Sequence, residues 1–577
     1  MKGLLPRTIL TCLLLFSVFC GSAHAQKFPV PSKDQLMLQD MEMYAFLHYS
    51  LNTYTGQEWG FGNEDPALFN PQKLDARQWA RTCKNAGMKG IIFTAKHHCG
   101  FCLWPSEYTD YSVKASPWKD GKGDVVRDLA EACKEYGLKF AVYLSPWDRN
   151  HAEYGREAYV TYFRNQLREL LTHYGPIFEV WFDGANGGNG WYGGANETRQ
   201  IDRKTYYQWG ETYDMIRQLQ PHCIIWNDGS DRRGDLRWVG TEAGFIGETN
   251  WSLLHSQGDV ARQHLHYGAE DGDVWVPGET NTSIRPGWFY HESEDGRVKS
   301  LAKLMETYYK SVGRNSTLLL NFPITKEGLI HPIDSMRGAS FNQMIHRIFD
   351  HPLKAKRKIT PTVSTLTFKQ ETEFNRLMVS EDISKGQRVK AFKVEAWVGG
   401  EWQELKDIIS EDPPRSMTTI GRKRILCFNN TRTTQIRLTI LDSKATPIIN
   451  GLNAYLAPAI ASDKAQEGGK KSAGLNVSLT NNGRSLLIDL GTSKHVKSLG
   501  YLPPQEAGAK GIITHYALWA MVKGEWQQIS EGEFSNVVNN PIWQTISLAD
   551  TETTFLRLDA ITLNSGSKVA YEDLDIQ

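Results

Sequence analysis

Between residues 40 and 350, short apolar runs rich in β-branched and aromatic side chains alternate with longer segments of helical period, and nothing else in the chain constrains its fold as much. Strands are read at 44–50 (YAFLHYS), 90–96 (GIIFTAK), 139–145, 179–184 (EVWFDG), 223–228, 274–280 and 316–323. Helices are read at 75–87, 124–137, 154–173, 204–219 and 299–312. Several of these helices close on a glycine just before the next strand, as a helix C-cap should. A βα unit repeated over this span predicts an α/β fold of (β/α)8 TIM-barrel type, with 237–244 (RWVGTEAG) completing or distorting the set of strands.

Beyond residue 354 the pattern becomes alternating strands separated by turn residues, which is β-sandwich composition. Two segments echo each other, VEAWVGGEWQEL (394–405) and ALWAMVKGEWQQI (517–529), and each is followed by an arginine-containing strand, TQIRLTI and TFLRLDA. A polar stretch at 462–474 separates them like a linker. The predicted organisation is therefore a barrel over 26–353, a β-sandwich over 354–461 and a second over 462–577. Three domains agree with the length of 577 residues at about 100–200 per domain.

Residues 1–25 carry two early cations, an apolar run and Ala23-His24-Ala25, the pattern of a secretory signal peptide cut before Gln26. The expectation is an exported protein, periplasmic or secreted. No later stretch reaches the length of apolar run a membrane helix needs, so membrane insertion is not expected. Lysine plus arginine (65) balances aspartate plus glutamate (65), which offers no electropositive face for nucleic acid. Six cysteines follow the leader, scattered through helices and strands, and read mostly as buried thiols.

In a barrel of this kind, chemistry sits at the carboxyl ends of the strands. His48, the pair His97 and His98, Tyr143, Asp183, Asp228 and Glu279 all fall at such ends. Adjacent residues of a strand point to opposite faces, so His97 and His98 are poorly placed to chelate one ion. The Cys99-x-x-Cys102 pair trails a strand, where no helix amino terminus lowers a thiol pKa. What remains is a polar strand end that offers imidazoles to a substrate. Asp183 follows three large side chains and opens a glycine-rich loop with Trp191 and Tyr192, which suits a carboxylate in an aromatic-lined cleft that admits a sugar. Glycoside cleavage needs a second carboxylate, and the residues leave Glu242, Glu248, Glu279 and Asp228 unranked.

The segments MYAFLHYSLNTYTGQEWG, AKHHCGFCLWPS, VWFDGANG, RWVGTEAG, SIRPGWFYH and NSTLLLNFP, in this order, resemble the retaining α-L-fucosidases of glycoside hydrolase family 29, and most closely the branch that removes α-1,3- and α-1,4-linked fucose from Lewis-type glycans. The resemblance implies Asp183 as nucleophile, Glu242 as acid/base, and a fucose subsite lined by His48, Glu58, Trp59, His97, His98, Tyr143 and Trp181. It further implies that Glu279 and Trp288 select the branched glycan, that fucosylated oligosaccharides or glycoconjugates are the partners, and that no metal or cofactor is needed. Carboxyl groups about 5–5.5 Å apart are expected for the retaining route. One departure is plain: the family usually shows His-His-Asp-Gly-Phe, and Cys99 stands at the aspartate. The last domain resembles discoidin-type sandwiches, which leaves it as a second sugar site or a structural support. A fucose-binding lectin on a decayed barrel, an α-fucosidase of another linkage preference and a transfucosidase are the competing readings.

Overall fold

The computed structural model describes residues 28–227, 232–410, 417–460, 472, 475–505 and 509–577. The expected leader, Asp228 and nearly all of the 462–474 linker lie outside the described residues.

Eight parallel strands form one sheet: β1 Met43–Leu47, β2 Gly90–Lys96, β3 Lys139–Leu144, β4 Ile177–Phe182, β5 Ile224–Asn227, β6 Arg237–Trp238, β7 Gly278–Ser283 and β8 Thr317–Asn321. Their order is β5-β4-β3-β2-β1-β8-β7-β6, and among the described residues one parallel bridge, from Trp226 to Leu236, joins the two ends into a nearly closed barrel. Helices cover the outside, which is why β1, β2, β4 and β8 are buried at every residue and read as continuous apolar runs. The helices start where their caps say they should. Asp75 and Asp124 accept the backbone N–H groups of Gln78 and Arg127, and the second of these helices stops at Gly137, whose φ of +69° suits glycine.

Two strand readings need correction. The 274–280 run is two elements: Val274–Trp275 pairs antiparallel with Leu253–Leu254 outside the barrel, and the barrel strand begins only at Gly278. Pro277 lies between them and has no N–H to give a ladder. Of RWVGTEAG only Arg237 and Trp238 are strand; Gly240 and Gly244, at φ +82° and +84°, turn the remainder into a loop.

The two β regions repeat one topology. Strands Val363–Glu381, Arg424–Ser443, Val389–Val398 and Glu401–Glu404 neighbour one another in that order, as do Ser485–Leu502, Gln544–Leu563, Ile513–Val522 and Glu525–Glu533. Each has its own apolar core. The sequence echo has a physical basis, because Arg437 lies over the Trp402 ring (4.2 Å) and Arg557 over Trp519 and Trp526 (4.9 Å each). Both regions touch the barrel. Gln387 exchanges hydrogen bonds with the backbone of Asn250 (2.8 Å) and Ser252 (2.9 Å), and Glu533 pairs at 2.8 Å with the wholly buried Arg149.

Candidate active site

The carboxyl ends of the barrel strands surround a cavity of about 230 Å3, lined among others by His48, Glu58, Trp59, His97, His98, Trp181, Asp183, Glu242 and Trp288. This is below the roughly 300–1,000 Å3 of a site for a drug-sized ligand and suits one sugar ring.

Asp183 follows β4 directly, and its side chain is 40% exposed, so a ligand in the cavity can reach it. Tyr143, at the end of β3, donates its hydroxyl to Asp183 Oδ2 at 3.1 Å, and His98 Nε2 stands 3.7 Å from the same oxygen. His98 Nδ1 is in turn held by Ser145 Oγ at 2.7 Å. The loop can leave the strand here because Gly184 sits at φ +71°; a β-carbon in its place would meet the His98 ring at 2.4 Å.

Burial pushes the imidazoles of His48 and His98 down to about 3, and holds His97 well below its usual range. All three are therefore neutral near pH 7, each offering one N–H and one lone pair. His48 Nδ1 bonds Asn321 Oδ1 at 2.9 Å, whereas the buried His97 Nδ1, Trp226 Nε1 and Asn281 Oδ1, all on residues that line the cavity, have no partner among the described residues. Unpartnered buried polar atoms around a small cavity are what a ligand rich in hydroxyls would satisfy. Both histidine rings reach the cavity because β2 ends at Lys96 and the chain turns there; their centroids are 4.2 Å apart. The expectation that the pair faces opposite sides is thus corrected, since strand alternation no longer governs it.

Glu242 lies in the loop after β6. Its Oε2 accepts two N–H groups, Trp288 Nε1 at 2.8 Å and Asn536 Nδ2 at 3.1 Å. Burial, and beyond it the nearby Asp183 and Glu58 carboxylates, raise this carboxyl to about 7 against the lowering effect of those two donors. Glu58 accepts the backbone N–H of Trp288 at 3.1 Å and so pins the 287–289 turn that carries the indole. Trp59 packs edge-on against His98 and Trp147, with centroids at 6.0 and 5.5 Å.

Of the expected binding residues, Tyr143 stands behind Asp183, to which it bonds, rather than in the cavity lining, and Glu279 is not brought to the cavity at all. It sits in β7 at 1% exposure, inside the barrel, where it accepts hydrogen bonds from Tyr44 and from Trp181 Nε1 (2.8 Å). Its neighbour Glu179 is pushed strongly upward by burial and by Glu279 itself. The direction of the β7 side chains explains this correction: Glu279 is the second residue of the strand and lies a layer below its end. From there it fixes Trp181, which stacks on Trp226 at 3.6 Å and on Tyr143 at 5.5 Å. Glu248 also stands apart, beside Ser410 (2.8 Å) and Arg424 (3.5 Å) where barrel and first sandwich meet.

Sequence reasoning passed over Trp226, Asn281, Asn321 and Ser145, although each lies at or near a strand end that had been read. Asn536 and Asn539, which also line the cavity, gave no local signal, because nearly 300 residues of chain separate them from Glu242. Cys99 is fully buried, with Ser50 Oγ at 3.5 Å, and burial pushes its thiol up to about 12. All six cysteines among the described residues are buried and free.

A barrel whose strand ends gather two carboxylates, three neutral imidazoles and stacked indoles around a one-sugar cavity defines a glycoside hydrolase. A family profile described as alpha-L-fucosidase matches residues 22–343, and the chain belongs to that family, glycoside hydrolase family 29, and is an α-L-fucosidase. It is 38% identical over 469 residues to alpha-L-fucosidase 1 of Arabidopsis thaliana, covering 74% of this chain and 88% of that one. A crystal structure of a glycoside hydrolase 29 family member from an unknown rumen bacterium is similar over 95% of this chain and 99% of its own, with 61% identity and a TM-score of 0.75. A Ruminococcus gnavus GH29 fucosidase in complex with fucose is similar over 74% of this chain and 95% of its own, at 28% identity and a TM-score of 0.64.

Proposed function

We propose that the protein is an exported, retaining exo-α-L-fucosidase that removes α-1,3- or α-1,4-linked fucose from Lewis-type branched glycans. The observation that carries the mechanism is that Asp183 and Glu242 face one cavity of single-sugar size from different strand ends, in unlike surroundings. Both are half-buried, but Asp183 is braced by the Tyr143 hydroxyl whereas Glu242 is raised to about 7. Two carboxyl groups in such unlike surroundings can divide the labour of a nucleophile and an acid.

In the first step an Asp183 oxygen bonds to the anomeric carbon as the bond to the leaving-sugar oxygen breaks, and the Glu242 proton passes to that oxygen. Water then attacks the anomeric carbon, gives its proton to Glu242 and releases Asp183. His48, His97 and His98 meet the fucose hydroxyls as neutral donors and acceptors, and the indoles of Trp59 and Trp181 pack against the ring. The Lewis preference rests on the likeness of RWVGTEAG and SIRPGWFYH to that branch, with Trp288 at the cavity wall. Export rests on the cation, apolar and Ala-His-Ala pattern of residues 1–25.

The experiment is proton NMR of the sugar first released from an aryl α-L-fucoside, run beside Lewis a, Lewis x and 2'-fucosyllactose. α-Fucose appearing first, with Lewis trisaccharides cleaved faster than 2'-fucosyllactose, is the expected outcome. β-Fucose appearing first would end the retaining reading, and equal rates would end the branch reading. Amino-terminal sequencing of the protein recovered outside the cytoplasm should begin at Gln26.

A further inference from the structure

The loop 534–543 joins strands Glu525–Glu533 and Gln544–Leu563 of the last β-sandwich, and it reaches the mouth of the barrel. Asn536 and Asn539 line the same cavity as Asp183 and Glu242. We infer that this last sandwich is part of the catalytic site, with Asn536 acting as a positioning residue that holds the Glu242 carboxyl and fixes which of its oxygens carries the proton.

The geometry is specific. Asn536 Nδ2 donates to Glu242 Oε2 at 3.1 Å, the oxygen that already accepts Trp288 Nε1 at 2.8 Å. An oxygen that accepts two N–H donors has little lone-pair capacity left to be protonated, so the mobile proton belongs on Oε1. The orientation of the Asn536 amide is set from behind, because its Oδ1 faces Asn539 Nδ2 at 3.5 Å. Its backbone is at φ +57°, a left-handed position that asparagine tolerates better than most residues.

The loop is tied down on both sides. Asn540 Nδ2 bonds Pro286 O at 2.9 Å, two residues before the Trp288 that shares Glu242. Just ahead of the loop, Glu533 pairs with Arg149, which also bonds Asn189 O at 2.9 Å and Asn189 Oδ1 at 2.7 Å in the loop after β4. The docking that seats Asn536 is thus anchored in the same two loops that carry Trp288 and follow Asp183. A second cavity, which shares Glu58 with the first, continues along this junction between His291 and Glu294 of the barrel and Tyr516 and Trp543 of the sandwich.

The charged groups around Glu242 are Asp183 after β4, Glu58 after the Leu51–Thr55 helix and Arg203 in the cavity lining. Asn536, from another domain, donates to the carboxyl itself. Losing a donor to the ionised carboxylate favours its protonated form, so the alkaline limb of kcat/KM should move upward.

This inference rests on the reading of Glu242 as acid/base, and two variants of the full chain test it. Asn536→Gly removes the donor while keeping a residue at ease at positive φ; Asn536→Asp keeps the shape and replaces the donor with an acceptor. Both should move the alkaline limb up by about half to one pH unit and lower kcat on Lewis a by about tenfold, the weight of a hydrogen bond to a charged group. An aryl fucoside with a good leaving group should change by less than threefold. If either variant melts early, the other carries the test. Glu242→Ala with azide on the aryl fucoside checks the underlying reading: absence of rescue overturns the acid/base role. Rescue together with an unmoved limb and equal loss on both substrates in the Asn536 variants overturns this inference alone.

Discussion

Glu242→Gln should make the protein more stable at alkaline pH while removing most of its activity on natural glycans. The carboxyl stands at about 7 in the fold against an ordinary 4.5. The difference, 2.5 units, is worth about 3.4 kcal/mol at ~1.36 kcal/mol per unit. Partial exposure to solvent cuts this to about 1–2 kcal/mol. For an acid raised in the fold, the contribution is intact below pH 4.5, where folded and unfolded chains are both protonated, and is lost as pH climbs to about 7. Glutamine stays neutral throughout. Melting curves of wild type and variant should therefore coincide at pH 4.5, and the variant should melt a few degrees higher at pH 8, at about 2–4 °C per kcal/mol. Turnover moves the other way: loss of the proton donor should lower kcat/KM on Lewis a by about 10²–10⁴. An activated aryl fucoside should be spared most of that loss. A variant that melts no higher than wild type at pH 8, or an equal loss on both substrates, would refute the account of Glu242.

Asp183→Ala should abolish turnover with the melting temperature unchanged, and azide should convert an aryl fucoside to the inverted β-fucosyl azide; ordinary hydrolysis by the variant would remove Asp183 from its role. Gly184→Ala should cost about 1 kcal/mol of backbone strain and displace His98, lowering kcat/KM by at least a hundredfold, with both effects read on one preparation by calorimetry and kinetics. Cys99→Asp should destabilise the barrel by about 3 kcal/mol at neutral pH, because a buried carboxylate there would face Glu64 and Asp148 with no new cation; unfolding curves that match wild type would contradict this. Glu279→Gln should leave the ratio of Lewis a to 2'-fucosyllactose unchanged while lowering kcat on both, since it supports Trp181 and does not face the cavity.

The parts of this structure legible in the sequence are those governed by local rules. Continuous burial on both faces turns β1, β2, β4 and β8 into apolar runs that can be read one by one, and Asp75, Asp124 and Gly137 mark helix ends by their own chemistry. Asp183 and the two histidines could be singled out because a barrel strand end is a definite place in the sequence. The β6 and β7 region is harder to read: a two-residue strand has no period, and Pro277 splits the 274–280 run into two elements. Glu279 misled because its distance from the strand end decides between cavity and barrel interior, and the strand begins four residues later than the apolar run. Asn536 could not be read at all. Its contact with Glu242 depends on how two domains dock, and no residue near it in the chain records that docking.

The seam bridged by Trp226 and Leu236 divides the site into unequal halves. Asp183 hangs from a strand laddered on both sides, so the half that grips fucose inherits the stiffness of the sheet. Glu242 follows a strand of two residues at the seam and is held instead by an indole from one loop and an amide from another domain. Substitutions on that side can change what leaves with the proton without disturbing what is attacked. A lineage could thus exchange one glycan context for another by redrawing the seam and the loop beside it, while Asp183, the proposed nucleophile, keeps its place.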